Sequence, residues 1–260
     1  MRLILICLLL CFAPLLAVAQ TASPQPLEIT ADTDLVWDQA RHLYQARGNA
    51  KAVSGDMVVV APLLEAAYDP KLGQQALTTI KAVGDAQNMV QLQSAAGTAT
   101  APCATYTIKT QSVVLQGPNI KLDNAAYNLS AQKTVSYSKA KNQAVATGNA
   151  LIVDKTNQRS LSAQTIIVEF TQIEGKNVLV QAQAQGGVVV KTAQELISAQ
   201  SGVYNAKEQT INLVGNVKIT RGANQLNGEK AVVNLRTGLS SLQGAGSQRV
   251  RALFYPNGGL

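Results

Sequence analysis

The feature that most constrains this chain is an alternation of apolar and polar residues with a period of two. One segment places apolar residues at every second position, with mostly polar residues between them: Ile211, Leu213, Gly215, Val217 and Ile219. This period is typical of β-strands that bury one face. Val, Ile, Thr and Tyr fill such segments, Gly, Asn and Asp separate them, and no segment sustains a helical period. The sequence therefore predicts an all-β protein.

A glycine tripeptide recurs within this pattern. Its copies are Gly48-Asn49-Ala50, Gly84-Asp85-Ala86, Gly148-Asn149-Ala150, Gly186-Gly187-Val188 and Gly215-Asn216-Val217. With a degenerate copy at Leu115–Asn119, the copies are spaced as repeat architectures require. Glycine inside a strand usually marks a bulge or a sharp bend. The repeats therefore favour a stack of bent strands, and an ordinary two-residue hairpin turn at each glycine is the alternative.

The N-terminus has the composition of a secretory signal peptide. Met1-Arg2 is basic, Leu3 to Leu16 is almost wholly apolar, and Ala17-Val18-Ala19 fits a cleavage site. The apolar run is shorter than the roughly 20 residues of a membrane-spanning helix. We therefore expect cleavage after Ala19 and export of the mature chain, with a retained membrane anchor as the alternative.

Changes in composition along the rest of the chain predict its division into segments. The stretch from 91 to 105 is small, polar and nearly featureless, which predicts a loop or a poorly formed strand layer. The predicted organisation is a signal peptide at 1–19, a flexible leader at 20–27, a β-structure at 28–244 with possible halves 28–90 and 106–244, and a tail at 245–260.

Residues with catalytic chemistry are scattered. His42 is the one histidine and has no evident partner, and Cys103 has no neighbouring base that would activate it as a nucleophile. Nucleophile-elbow and phosphate-loop motifs are absent from the sequence. Aromatic residues make up 4% of the chain and do not cluster with basic ones, which argues against a nucleic-acid binder. We expect no enzyme, no cofactor and no metal site.

At its glycine tripeptides the sequence resembles the LptA/OstA family of lipopolysaccharide transport proteins. The best stretch, Val203 to Leu242, has a Tyr-containing strand, a charged turn, a strand ending in Gly-Asn-Val and then Leu-x-Gly-Glu-Lys-Ala. Leu27 to Tyr68 and Tyr127 to Phe170 match more loosely. The segment 91–105 and the length of the chain depart from the family. They leave open whether this is the bridge component or a membrane-anchored, LptC-like relative.

The resemblance implies an elongated β-jelly roll, folded like a taco, with lipid A acyl chains lying along an apolar groove. It also implies a periplasmic protein that binds lipopolysaccharide. Such a protein stacks head to tail with itself and with related domains of the inner-membrane and outer-membrane components, and thereby bridges the two membranes.

The inward positions expected to line this groove are small or aliphatic. They are Ala46, Ala50, Val58, Val60, Ala146, Ala150, Ile152, Val168, Val188, Val190, Leu213, Val217 and Ile219. The net charge of +7 suits an anionic head group. The candidates for binding it are Lys51, Lys218, Arg221, Lys230 and Arg236. Two alternatives stay open: a dry β core, and a structural or adhesin-type β-repeat protein without a lipid ligand.

Overall fold

The structure, a computed structural model, describes residues 26–72, 76–173, 176–234, 236–237, 239–244 and 249–255. The expected signal peptide and most of the leader lie outside these ranges. The described residues are almost entirely β-strand, with a single 3-10 turn at Pro70–Leu72, which confirms the all-β prediction. Within these ranges, no helix has the length and hydropathy to cross a membrane.

The strands follow one another along the chain with short connections. They are β1 (Glu28–Thr30), β2 (Asp34–Asp38), β3 (Leu43–Ser54), β4 (Met57–Asp69), β5 (Ala76–Val83), β6 (Val90–Ser94), β7 (Gly97–Ala101), β8 (Cys103–Thr107), β9 (Ser112–Gln116), β10 (Ile120–Asp123), β11 (Tyr127–Ala131), β12 (Thr134–Ser138), β13 (Gln143–Asp154), β14 (Arg159–Ile173), β15 (Lys176–Lys191), β16 (Leu196–Asn205), β17 (Thr210–Arg221), β18 (Asn224–Asn234), β19 (Ser240–Gln243) and β20 (Arg251–Leu253).

These strands stack as layers, each of which is bent into two arms. The first half of β3 pairs with β2 and its second half pairs with β1, so that β1 and β2 together make one layer. In the same way, two successive short strands together make one layer in five further places: β5 and β6, β7 and β8, β9 and β10, β11 and β12, and β19 and β20. Each long strand forms a layer by itself. The described residues form fourteen layers, which we number in chain order from β1/β2 to β19/β20.

The arms form two facing sheets, which we call wing A and wing B. Wing A contains β2, β5, β8, β9, β12 and β19, and wing B contains β1, β6, β7, β10, β11 and β20, with half of each long strand in either wing. All the pairings are antiparallel. The line of bends between the wings is the spine. The hairpin turns at the far ends of the wings form lip A and lip B.

Glycine is needed at the spine because neighbouring layers approach closely there. Gly48 has φ +80°, and a Cβ at this position would lie 2.1 Å from Oγ1 of Thr33 in the layer below. Gly148 has φ +85°, and its Cβ would lie 2.6 Å from Cγ of Lys133. At both glycines the strand continues through a bulge, and its register shifts between Arg47 and Ala50 or between Thr147 and Ala150. The bent-strand prediction is therefore confirmed at these positions, and the hairpin alternative is wrong there.

The glycine bends fall in every second layer. Gly48, Gly84, Gly148 and Gly215 lie at the spine of layers 2, 4, 8 and 12, and the pair Gly186-Gly187 lies at that of layer 10. The degenerate copy provides Gly117 at the spine of layer 6. The repeating unit is therefore a pair of layers.

The predicted loop at 91–105 is wrong. Most of its residues belong to β6, β7 and β8, which pair with β4, β5 and with each other. Ala99, Ala101 and Ala104 are buried there while threonines face outward. Alternation between alanine and threonine has little hydrophobic contrast, so the sequence does not reveal these strands. The stack continues through this region without a division.

The predicted tail also contributes to the sheet. β20 pairs with β18, with Ala252 opposite Leu226, and provides the wing B part of layer 14. The last strand of the sheet therefore lies beyond residue 244, where the sequence predicted that the β-structure ends.

The core lies between the wings and is mainly aliphatic. A large cluster of buried side chains runs from Ala46 to Tyr204 without interruption. A smaller cluster at the C-terminal end is linked to it through the half-buried Val190 and Ile211: Ile197, Ala199, Leu213, Val217, Ile219 and Ala231. Full burial of a Val, Leu or Ile side chain contributes about 1.5–3 kcal/mol, so this interior is the main source of stability.

Candidate functional site

The space between the wings is the candidate binding site, because both wings line the same internal cavities. Near the N-terminal end, a cavity of about 70 Å³ lies between Ile29 and Ala52 of wing B and Leu35, Tyr44 and Leu64 of wing A. Leu35 points inward and is nevertheless 58% exposed, because none of the described strands covers the outer side of layer 1. The interior is therefore open at this end of the stack.

A second cavity lies in the middle of the stack. It measures about 20 Å³ and is bounded by Leu92 and Leu122 of wing B and by Val113, Leu115 and Val135 of wing A. An apolar cavity of roughly 150 Å³ is needed to hold one benzene ring. Neither of these two cavities can hold an acyl chain in its present shape. Binding at these two places requires the wings to separate.

Most of the predicted groove residues lie on the inner faces of the wings. Ten of them are buried: Ala46, Ala50, Ala146, Ala150, Ile152, Val168, Val188, Leu213, Val217 and Ile219. Val190 is half-buried and packs against both clusters. The structure thus places these residues in one interior, and whether they contact a lipid stays a prediction.

Val58 and Val60 were assigned to the wrong face. Val60 lies opposite the exposed residues Lys51 and Gln91, whereas Val59 lies opposite the buried Ala52 and packs against the core. The strand begins with an unbroken apolar run, from Met57 to Ala61. Because this run has no alternation, the sequence does not reveal which residues face inward.

The predicted head-group residues are not brought together. Lys51 lies in layer 2, whereas Lys218, Arg221, Lys230 and Arg236 lie in layers 12 and 13 or in the turn that follows. They are exposed on outer faces and turns. The guanidinium of Arg221 also donates two hydrogen bonds to Oε1 of Glu195, at 3.0 and 2.5 Å. These residues form no common anion site.

A row of aromatic side chains was missed by the sequence analysis. Tyr44, Tyr106, Tyr137 and Tyr204 occupy the same register position on the inner face of wing A, as does Trp37. We call these five residues the aromatic row. Period-two patterning places each tyrosine on the inner face, but only the pairing of distant strands aligns them.

At the N-terminal end of the aromatic row, Trp37 and Tyr44 both contact Tyr68. Nε1 of Trp37 donates a hydrogen bond to the hydroxyl of Tyr68 at 3.0 Å, and its ring stacks on Tyr44 with centroids 5.9 Å apart. The ring of His42 meets Tyr68 edge to face at 5.4 Å. Burial raises the pKa of Tyr106, and loss of hydration together with the neighbouring Tyr68 raises the pKa of Tyr44. These phenols therefore stay protonated near neutral pH and do not act as bases.

Groups with reactive chemistry are dispersed in the part of the chain that the structure describes. No three His, Cys, Asp or Glu side chains in these ranges gather into a possible metal site. Cys103 is a half-buried free thiol in β8, opposite Val83 and Gln116. His42 lies in a lip A turn with positive φ. In the described residues, the geometry offers an apolar interior bounded by an aromatic row, and it gathers no group of side chains suited to hold a metal.

A family model matches the sequence twice. Its description is LptA/(LptD N-terminal domain) LPS transport protein, and it covers residues 28–139 and again residues 128–239. The two matches are offset by 100 positions, and the structure repeats this offset: β2 and β12 start and end 100 residues apart, as do β3 and β13. The chain therefore contains two copies of the family unit, which overlap in layer 7.

Comparison with solved structures finds a crystal structure from Pseudomonas aeruginosa, that of LptH, the LptA homologous periplasmic component of the conserved lipopolysaccharide transport device. The sequences are 12% identical over 89% of this chain and 96% of that chain, and the TM-score is 0.22. At this score the superposition adds nothing to the assignment, which rests on the family match. A search of the curated proteins finds no match.

Proposed function

The chain belongs to the LptA/LptD N-terminal domain family of LPS transport proteins, and from this premise we propose that it binds lipopolysaccharide in the periplasm. The lipid A acyl chains would lie between the wings, shielded from water. The observation that carries the proposal is the apolar interior, which runs through both copies of the family unit. Each methylene removed from water contributes about 0.8 kcal/mol, so several acyl chains suffice for firm binding without any catalytic group.

The proposal requires the wings to open. The interior is lined largely by Ala and Val, which make fewer contacts across the gap than Leu or Phe, so separating the wings forfeits less packing energy at each layer. An entering acyl chain replaces the lost contacts with its own. The exposed inner face of layer 1, with Leu35 and Trp37, offers one place where entry can start.

The direct test is to purify the protein from periplasmic extract, extract its lipids and identify them by mass spectrometry. We expect lipid A with its full set of acyl chains, in an amount comparable with that of the protein. Purified protein that is free of lipid and takes none up on incubation would refute the proposal. It would favour the alternative, a structural or adhesin-type β-repeat protein with a dry core.

We further propose that copies stack end to end and, with related domains of inner-membrane and outer-membrane components, bridge the two membranes. Among the described residues, layers 1 and 14 each pair on one side only, which leaves strand edges that can accept another chain. An even number of layers keeps successive copies antiparallel, with β19 facing β2 and β20 facing β1. The C-terminal edge of the described sheet is formed by β19 and β20, because β19 pairs with β18 at Val232 and Val233.

Light scattering across a dilution series tests the stacking. We expect open-ended, concentration-dependent association in the wild type. Proline at Ile29 in β1, or at Leu253 in β20, removes a hydrogen-bond donor from an edge strand and should weaken association. A wild type that stays monomeric at high concentration refutes self-assembly. Equal association of the wild type and both variants would refute the assigned edges.

Export is the remaining part of the proposal. We expect the periplasmic protein to begin at Gln20, which N-terminal sequencing can establish. A chain with Met1 intact in the membrane pellet would favour an anchored, LptC-like role.

A further inference from the structure

The two lips differ in charge. In its described residues, lip A carries seven basic side chains against three acidic ones, namely Arg41, Lys71, Lys109, Lys139, Lys141, Lys207 and Arg236 against Asp38, Asp69 and Glu208. Lip B carries four of each, namely Lys155, Arg159, Lys191 and Arg221 against Asp56, Asp123, Asp154 and Glu195. The positive charge of the lips is therefore concentrated on lip A.

The pairing of these charges increases the difference. On lip B, Lys155 forms an ion pair with Asp123, and Arg221 pairs with Glu195 at 2.5 Å. On lip A, Arg41 lies 3.6 Å from Asp38 in an exposed pair. Among the described residues, none of the salt bridges includes the five lip A lysines. Their ammonium groups remain available to an anionic ligand.

The basic residues of lip A are evenly spaced. Each turn joins two consecutive layers, so neighbouring turns lie two layers, or about 9.5 Å, apart. Six of the seven turns carry a described basic side chain, and the remaining turn, between β14 and β15, includes residues outside the described ranges. Lip A therefore presents a ladder of positive charge along the stack.

The aromatic row lies directly inside this ladder. Tyr106 precedes Lys109 by three positions, and Tyr137 precedes Lys139 by two. Tyr137 is buried, and Tyr106 is half-buried. Tyrosine suits the boundary between an apolar and a wet region, because its ring is apolar and its hydroxyl is polar. Between the spine and lip A, the residues of wing A thus change from aliphatic to tyrosine and then to lysine.

We propose that lip A binds the phosphate groups of the amphiphile whose acyl chains lie between the wings. This proposal rests on the proposed function and adds to it the position of the head group. Lysine ammonium groups bind phosphate through charge-assisted hydrogen bonds. The order from aliphatic to aromatic to basic residues on one wing matches the order of groups along such an amphiphile. Lip B, whose basic and acidic residues balance, does not bind the phosphate groups.

The test compares two triple variants that remove the same charge. Lys109→Gln, Lys139→Gln and Lys141→Gln neutralise the middle of lip A, whereas Lys51→Gln, Lys218→Gln and Lys230→Gln neutralise exposed lysines on the outer faces. Equilibrium binding is measured with diphosphorylated lipid A and with the same lipid after dephosphorylation. We expect the lip A triple to bind the phosphorylated lipid about tenfold more weakly, since about 1.4 kcal/mol is tenfold in affinity. It should bind the dephosphorylated lipid as the wild type does, and the outer-face triple should bind both normally.

Several outcomes would overturn the proposal. Equal losses in the two triples would show an effect of net charge alone, and equal losses for the two lipids would show damage to the interior. If the wild type binds both lipids equally, the phosphate site is refuted, whereas the proposed function stands. If the wild type binds neither lipid, both the phosphate site and the proposed function are refuted. If the lip A triple keeps its affinity for lipid A and loses flotation with phosphatidylglycerol vesicles, lip A is a membrane contact instead.

Discussion

The two copies of the family unit begin alike and then bend by different means. β3 and β13 have the same length, carry the same Gly-Asn-Ala tripeptide and bulge at the same place. Layers 4, 5 and 6, in the middle of the first unit, are broken at the spine, between β5 and β6, β7 and β8, and β9 and β10. Their counterparts in the second unit are the unbroken strands β15, β16 and β17.

Residue chemistry at the spine explains this difference. Layer 5 is interrupted by Pro102, which has no N–H to donate to the ladder, and layer 6 by Gly117-Pro118. The second unit bends at Gly186-Gly187 and Gly215-Asn216, where positive φ values form a bulge and the strand continues. The stacking of layers fixes where a bend must occur. The residues at the spine determine whether the strand is interrupted there or continues through a bulge.

The largest effect we expect comes from a charge in the interior. Leu115 in layer 6 and Leu213 in layer 12 occupy equivalent positions and are both buried. Aspartate at either position leaves a buried carboxylate unpaired, which costs about 4 kcal/mol or more. The free energy of unfolding should fall by similar amounts in the two variants, and lipid retention should be lost. Asn212→Asp, on the exposed face beside Leu213, is the control and should change neither. The assignment of faces would be reversed if the control lost lipid while Leu213→Asp kept it.

The spine glycines provide the next comparison. Gly48→Ala and Gly148→Ala should each destabilise the protein by about 3 kcal/mol, since left-handed backbone alone costs about 1–2 kcal/mol and the new Cβ also meets the neighbouring layer. Gly187 has φ +72° with no atom within 4 Å of its Cβ position, so Gly187→Ala should cost only about 1 kcal/mol. Denaturant unfolding measures all three. Equal losses at all three glycines would show that close approach between layers is unimportant.

The smallest effect concerns the bend of layer 4. The backbone N–H groups of Gln87 and Asn88 donate to Oδ1 of Asp85 at 2.8 and 2.7 Å, which lowers the pKa of this carboxyl below its ordinary value of 3.8. A lowered pKa stabilises the fold above the unfolded value, and this contribution is lost as the pH falls through the folded value. The second unit has Gly186-Gly187 at the equivalent bend and no carboxyl there.

The measurement compares wild type with Asp85→Asn. We expect the wild type to lose more stability than the variant between about pH 6 and about pH 2, so that the two free energies of unfolding converge on acidification. Parallel curves would show that the carboxylate contributes nothing to this bend.

The sequence predicts what depends on near neighbours and misses what depends on distant pairing. Alternation identified ten buried inner residues, and the tripeptides identified the bends. The alternation did not identify the inward face at Val58 and Val60, because the apolar run around them has no period. It also did not identify the strands at 91–105, because alanine and threonine differ too little in hydrophobicity. The aromatic row and the lip A ladder connect residues many layers apart. Only the register of the sheet, which the sequence does not display, brings them into line.

The central claim is that acyl chains lie between the wings in both units. A photoreactive amino acid at Val59 and at Leu161, which are half-buried inner positions in equivalent strands, tests it most directly. The neighbours Val60 and Ser162, on the outer faces, are the matched controls. After irradiation with bound lipopolysaccharide, we predict lipid adducts at both inner positions and none at the outer ones. Adducts at the outer positions, or none at Val59 and Leu161, would contradict the account.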